Sequence, residues 1–111
     1  MPSRNPFLTE FEIYVASAIV RLGDDAYGMT IMRQIEELTG RRLAVGMIYA
    51  ALARLEAKAL VDTRVGDPTP VQGGRARRYV RLTPAGRRAL AHSASMLARI
   101  VPAALWESGR K

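Results

Sequence analysis

The sequence predicts a mainly α-helical fold with a small β-hairpin: a winged helix-turn-helix followed by a further C-terminal helix. Three observations predict it. Apolar residues recur at three- and four-residue steps in three successive segments before the middle of the chain. The period then changes to two on either side of a stretch rich in Pro, Gly and Arg. Beyond that stretch, Thr83-Pro84 opens a last helical pattern with a heptad-like seam.

Residues 1–6 read as a loose arm. The first helix is expected from about Pro6 to Leu22, with Phe7, Phe11, Val15, Ala18, Ile19 and Leu22 on one face and Gly23-Asp24-Asp25 ending it. The second is expected from about Met29 to Thr39. Ile31, Ile35 and Leu38 form its buried stripe with Met32 beside them, and Arg33, Glu36 and Glu37 face water. Gly40 suits the C-cap, because it adopts the left-handed conformation at little cost. Arg41-Arg42-Leu43 is a short turn before a third helix from about Val45 to Ala59, in which Ile48, Leu52, Leu55 and Ala59 share a face. Two three-turn helices joined by a turn containing Gly outline a helix-turn-helix, an outline that many helical hairpins share.

Leu60 to Val65 and Tyr79 to Leu82 alternate as strands, and the segment between them carries the prolines and glycines of a long basic tip. A hairpin directly after a helix-turn-helix is a wing. Thr83 is a good N-cap and Pro84 suits the first helical position, where a missing N–H costs nothing. Leu90, Ala94, Leu97, Val101 and Ala104 then form a seam suited to packing on another helix, and Pro102 should kink or end that helix. The chain therefore divides into a winged helix-turn-helix over 1–83 and a dimerisation helix over 84–111.

Composition narrows the function classes. The 111 residues suffice for one core, which is aliphatic, since aromatics are only 6%. The absence of Cys removes disulfides, zinc fingers and thiol catalysis, and fits a reducing cytosol. No basic region followed by an apolar run marks a signal peptide, and no apolar run is long enough to cross a bilayer, so a cytoplasmic protein without a membrane partner is expected. Residues 1–67 hold eight Lys/Arg and nine Asp/Glu, whereas residues 68–111 hold nine Lys/Arg and one acid. A basic region on a balanced domain is the footprint of a polyanion partner, or else simply a solvated basic surface. Fifteen of the seventeen cations are Arg, whose planar fork suits phosphates and guanine edges.

Local motifs sharpen this. Tyr27-Gly28 opens the second helix, "IYAALARLEAKALV" covers the third helix and strand entry, and "RRYVRLTPAGRRAL" covers the strand and last helix start. Over about residues 7–90 the chain resembles the PadR family of transcriptional regulators, whose corresponding patterns are "lYpaLrrLeeeGlv" and "rkyYrlTeaGrraL". It departs at Ala59, where the family usually has Gly, and at Ala50, where it often has Pro. Both departures bear on helix-end geometry rather than chemistry. The single helix after the wing resembles the subgroup with a short C-terminal region. The resemblance implies dimerisation through that helix, repression of genes often near transporters, and in some members a response to small hydrophobic ligands.

In a winged helix the third helix enters the major groove of double-stranded DNA and the wing reaches the minor groove or the phosphates. The expected DNA-binding set is Arg41, Arg42, Gly46, Met47, Tyr49, Ala50, Arg54, Arg75, Arg77 and Arg78. Met47 and Ala50 suit thymine methyls. Tyr49 reads equally as a phosphate donor or as a half-buried packing residue, and Arg54, Arg41 and Arg42 each compete with a plain solvated role. Tyr79 reads as packing on the hairpin rather than stacking on a base. The expected homodimer interface is Phe7, Phe11, Leu90, Ala94, Leu97, Val101 and Leu105. Trp106 is the candidate lining of a pocket for a small hydrophobic effector, against the competing reading of a ring packed on the partner's first helix. His92 reads as a surface residue, Met29, Met32 and Met96 as filler, and Asp24-Asp25 as a turn. No catalytic constellation, metal-ligand cluster or cofactor motif is legible: the chain has one His, and Gly73-Gly74 falls in the hairpin rather than before a helix. The rival to a DNA-binding regulator is a winged helix that binds protein instead.

Overall fold

The computed structural model describes residues 7–66 and 77–107. Its elements are α1 (Glu10–Leu22), a 3₁₀ turn (Gly23–Asp25), α2 (Gly28–Thr39), α3 (Val45–Ala57), β1 (Val61–Val65), β2 (Arg78–Leu82), α4 (Pro84–Ile100) and α5 (Ala103–Glu107). The order is that of a winged helix with a long helix after the wing, as the periodicities predict. The wing tip, including Arg75, lies outside the described residues.

Each helix of the expected order is present, with boundary differences that have local causes. α1 begins at Glu10, so Phe7 precedes it. Thr9 is the N-cap, accepting from the Glu12 N–H at 3.1 Å, while the Glu12 carboxylate accepts from the Thr9 N–H at 3.0 Å. This reciprocal box satisfies two otherwise orphaned donors and fixes the start. α2 ends at Gly40, left-handed at φ 73°, whose N–H donates to the Glu36 carbonyl. Leu38, expected in the buried stripe, is 57% exposed, because the buried part of that face ends with Ile35, about two turns into α2. Glu36 is half-buried rather than fully in water, since it accepts from the Leu43 N–H at 2.8 Å and so stitches the turn before α3 to α2.

α3 stops at Ala57, two residues short of expectation. The Leu60 N–H reaches the Leu55 carbonyl and the Ala59 N–H the Glu56 carbonyl, both at 2.9 Å, which is a Schellman ending. That ending requires a left-handed residue, and Ala59 supplies it at φ 61°. This is the position at which the sequence departs from Gly. α4 ends at Ile100, ahead of Pro102, and the chain restarts in the short α5.

β1 and β2 pair antiparallel, with Val61 opposite Leu82 and Thr63 opposite Val80. Val61, Val80 and Leu82 turn inward onto a core of Val15, Ile19, Ile31, Ile48, Leu55 and Leu60. α4 is tied to this core at its first turn. Thr83 donates its N–H to the Leu60 carbonyl and its hydroxyl to the Ala59 carbonyl, and caps Gly86 N–H. A Cβ at Gly86 would stand 2.1 Å from the Leu60 carbonyl oxygen, so only glycine permits this approach. Thr83 and Gly86 thus join the wing, the end of α3 and α4 at one point.

Candidate nucleic-acid interface

The outward ridge of α3 consists of Gly46, Ala50, Ala53 and Ala57, all exposed, opposite the buried Ile48, Ala51 and Leu55. Steps of four, three and four residues keep the four on one line. The ridge carries no side chain larger than a methyl group, so whatever meets it can approach the helix backbone closely.

On the wing side, the chain before α2 joins the hairpin. The Val80 N–H donates to the Ala26 carbonyl at 2.9 Å, and Tyr27 pairs with Tyr79 as a short bridge. The two rings meet edge to face, 5.5 Å between centroids. Arg77 lies over the Tyr27 ring at 4.6 Å and Arg64 over the Tyr79 ring at 4.8 Å, so two arginines and two tyrosines form a continuous cation–π stack at the root of the wing. Tyr49 leans across to α2: a Cβ at Gly28 would stand 2.6 Å from its hydroxyl. Between α3 and the wing runs a cleft walled by Tyr27, Tyr49, Leu52, Glu56, Arg77 and Arg78.

On the α1 side, the Glu12 carboxylate is buried against α3. It accepts from Arg54 Nε at 2.9 Å and from Lys58 Nζ at 3.3 Å, besides the Thr9 N–H. Its side chain is 1% exposed, that of Arg54 47%. Burial pushes the Glu12 carboxyl up, but the Thr9 hydrogen bond and the Arg54 and Lys58 contacts outweigh it and hold the group below its ordinary range. Nearby, Phe11, Tyr14, Arg41, Arg42, Leu43 and Met47 line a groove at the start of α3. Tyr14 donates its hydroxyl to Glu10, which raises the Tyr14 pKa.

Away from this face, α1 and α4 leave an apolar groove between them. Ile13 and Ser17 form one wall, Leu90, Ala94, Leu97, Ala98 and Val101 the other, and Trp106 stands at the end. Trp106 donates its indole N–H to the Val101 carbonyl at 3.4 Å. Leu105 is exposed, and Phe7 lies near the His92 ring on α4.

The structure therefore gathers Arg41, Arg42, Gly46, Met47, Tyr49, Ala50 and Arg54 on or beside α3, with Arg77 and Arg78 across the cleft. It gathers Leu90, Ala94, Leu97, Val101 and Trp106 in one groove, but places Phe11 beside Arg41 and Met47, away from that groove. Ile13 and Ser17 take its place, and sequence reasoning missed them because they lie on the face of α1 opposite the stripe of Phe11, Val15 and Ile19. It also missed Glu12, although the Thr9-to-Glu12 spacing of a capping box was there to be read. The Tyr27–Tyr79 stack had no local signal. Among the described residues, no cluster of His, Cys, Asp or Glu could hold a metal ion, and no helix is long and apolar enough to cross a membrane.

Residues 18–92 match the model of the transcriptional regulator PadR-like family. Among curated proteins, an uncharacterized 37.1 kDa protein in transposon TN4556 of Streptomyces fradiae is 42% identical over 74 residues, 67% of this chain and 19% of that protein. The chain thus spans about a fifth of that relative's length. Among solved structures, a PadR family transcription regulator from hypervirulent Clostridium difficile R20291 has a TM-score of 0.69 at 27% identity, covering 83% of this chain and 91% of that one. The complex structure of hsRosR-S1 gives 0.67 at 26% identity, covering 85% and 77%. At 21% identity, a PadR family transcriptional regulator from Eggerthella lenta DSM 2243 shares the fold, with a TM-score of 0.67 over 81% and 73% of the two chains.

Proposed function

This chain belongs to the transcriptional regulator PadR-like family, and from that premise we propose that it is a cytoplasmic, sequence-specific repressor that reads an inverted-repeat operator as a homodimer. The observation that carries this reading is the bare ridge of α3 with cations on both sides. Gly46 and Ala50 let the helix sit deep in the major groove, where Ala50 and Met47 meet thymine methyls. Arg41, Arg42, Tyr49 and Arg54 hold phosphates beside it, and Arg75, Arg77 and Arg78 of the wing hold those beyond. With few hydrogen-bonding groups on the ridge, DNA shape and deformability supply part of the specificity.

Residues 84–111 act as the dimerisation segment for the reading head of 1–83. The α1/α4 groove is the kind of exposed apolar surface that soluble proteins cover, and a second copy's α4 covers it. A two-fold dimer places two α3 ridges about one helical turn apart, roughly 10 base pairs or a multiple of it. Trp106, at the end of the groove, gives a small hydrophobic effector a ring to pack on. Selection from a random duplex pool tests the whole reading, with recovery of a two-fold symmetric site as the expected result. Recovery of one asymmetric site bound by a single subunit removes the dimer. Failure to shift any duplex at low salt leaves a protein-binding winged helix.

A further inference from the structure

We propose that Glu12 is a positioning residue for DNA binding: its buried carboxylate anchors Arg54 at Nε and so presets the guanidinium as a fork for one backbone phosphate. This rests on the DNA-binding reading above and deepens it.

A buried carboxylate is a poor way to stabilise the contact between α1 and α3. Replacing a buried ion pair by apolar side chains of similar volume is often neutral or stabilising. Every other fully buried large side chain in this core is aliphatic. What the carboxylate does, and an aliphatic residue could not, is fix a long cation. Arg54 carries substantial rotamer freedom, which a free side chain must surrender when it binds. Held at Nε, 2.9 Å from Glu12, it has surrendered that freedom on folding. Its two terminal nitrogens have no hydrogen-bond partner among the described residues, and nearly half of the side chain is exposed. Two adjacent N–H groups in a fixed plane match two oxygens of a phosphate.

The position of Arg54 selects phosphate over base. It lies one turn after Ala50 on the same side of α3 as Met47 and Lys58, a flank of the ridge rather than its crest. It is also in the C-terminal half of α3, whereas base edges are read from the first turns of a recognition helix. Lys58, one turn further on, shares the carboxylate and adds a point charge.

The test titrates a selected operator and an unrelated duplex across a salt series, at a temperature where circular dichroism shows every variant folded. Arg54→Met should weaken both complexes about five- to tenfold and lower the salt slope by about 0.9, one phosphate's share. Glu12→Gln, which keeps the hydrogen bond from Thr9, should give a loss of the same sign on both duplexes. The double variant should lose no more than Arg54→Met alone. Should Glu12→Gln not fold, Glu12→Asp keeps the buried charge, withdraws it from Arg54 Nε and should show the same loss. Arg54→Lys, with charge but no fork, should keep the slope and lose part of the affinity. Tighter binding and a steeper slope in Glu12→Gln would overturn the proposal, showing that Glu12 merely neutralises its cations, and so would wild-type binding in Glu12→Gln or Glu12→Asp. So would unchanged binding by Arg54→Met, or a loss confined to the operator at constant slope, which marks a base contact. Wild-type protein that binds neither duplex removes the DNA-binding reading itself.

Discussion

Glu12 and Ile13 are neighbours on α1 that face two differently finished regions. Glu12 points at α3 into a closed junction, where a charge is buried and every oxygen has a donor. Ile13 points at α4 into an open groove, where apolar side chains remain uncovered. The usual preference, apolar inside and charged outside, is reversed across one peptide bond. The difference teaches that the contacts around α3 and the wing close within one chain, whereas the α4 face stays uncovered. Closed junctions, at Glu12 and again at Gly86, fix the angles of α3 and the wing; the α1/α4 groove has no such closure in the single chain.

The strongest way to break the closed side is Gly86→Ala. The added Cβ meets backbone rather than a movable side-chain tip, so α4 must shift as a body. The expected cost is about 3 kcal/mol or more, at the upper end for overpacking, and thermal melting should show it at all protein concentrations. The open side is broken by Leu97→Asp. This side chain is 49% exposed in the single chain, so the fold should stand while the assembly fails. Light scattering should find the 12.2 kDa monomer or insoluble protein, and a normal dimer would place the interface elsewhere. Acid gives a smaller effect on the closed side. Because the folded pKa of Glu12 is depressed, its contribution to stability is full above the unfolded value of about 4.3 and is lost as pH falls through the lower folded value. Denaturant titrations should show wild type losing more stability than Glu12→Gln between pH 5 and the acid limit. The mildest change should sharpen the closed junction. Ala59→Gly relieves a left-handed alanine and should stabilise by about 1 kcal/mol, raising the melting temperature by roughly 5 °C.

Much of this is legible in the sequence alone. The helical periods located α2, α3 and α4, Gly40 and Thr83-Pro84 marked their ends, and the change of period located the hairpin. The candidate contacts on α3 were legible because the buried stripe of Ile48 and Leu55 fixes which side is outward. Where the reading slipped, a non-local or cap-level term decided. Leu38 fits the apolar stripe of α2, but among the described residues the last turn of that face is left largely uncovered. Ala59 fits the α3 period, but the Schellman turn takes it out of the helix. Phe7 fits the α1 period, but the Thr9–Glu12 box starts the helix after it.

By itself, then, the sequence determined the elements, their order and the charge asymmetry, because periodicity, caps and turn residues act over a few positions along the chain. Only the tertiary structure decided which residues from distant segments share one place: Glu12 with Arg54 and Lys58, Tyr27 with Tyr79 and Arg77, Gly86 with the carbonyl of Leu60, Ile13 with Leu97 and Trp106. A buried carboxylate and a surface one look alike in a helical pattern. They differ only in whether another helix, 42 to 46 residues on, brings two cations close enough to offset the loss of water.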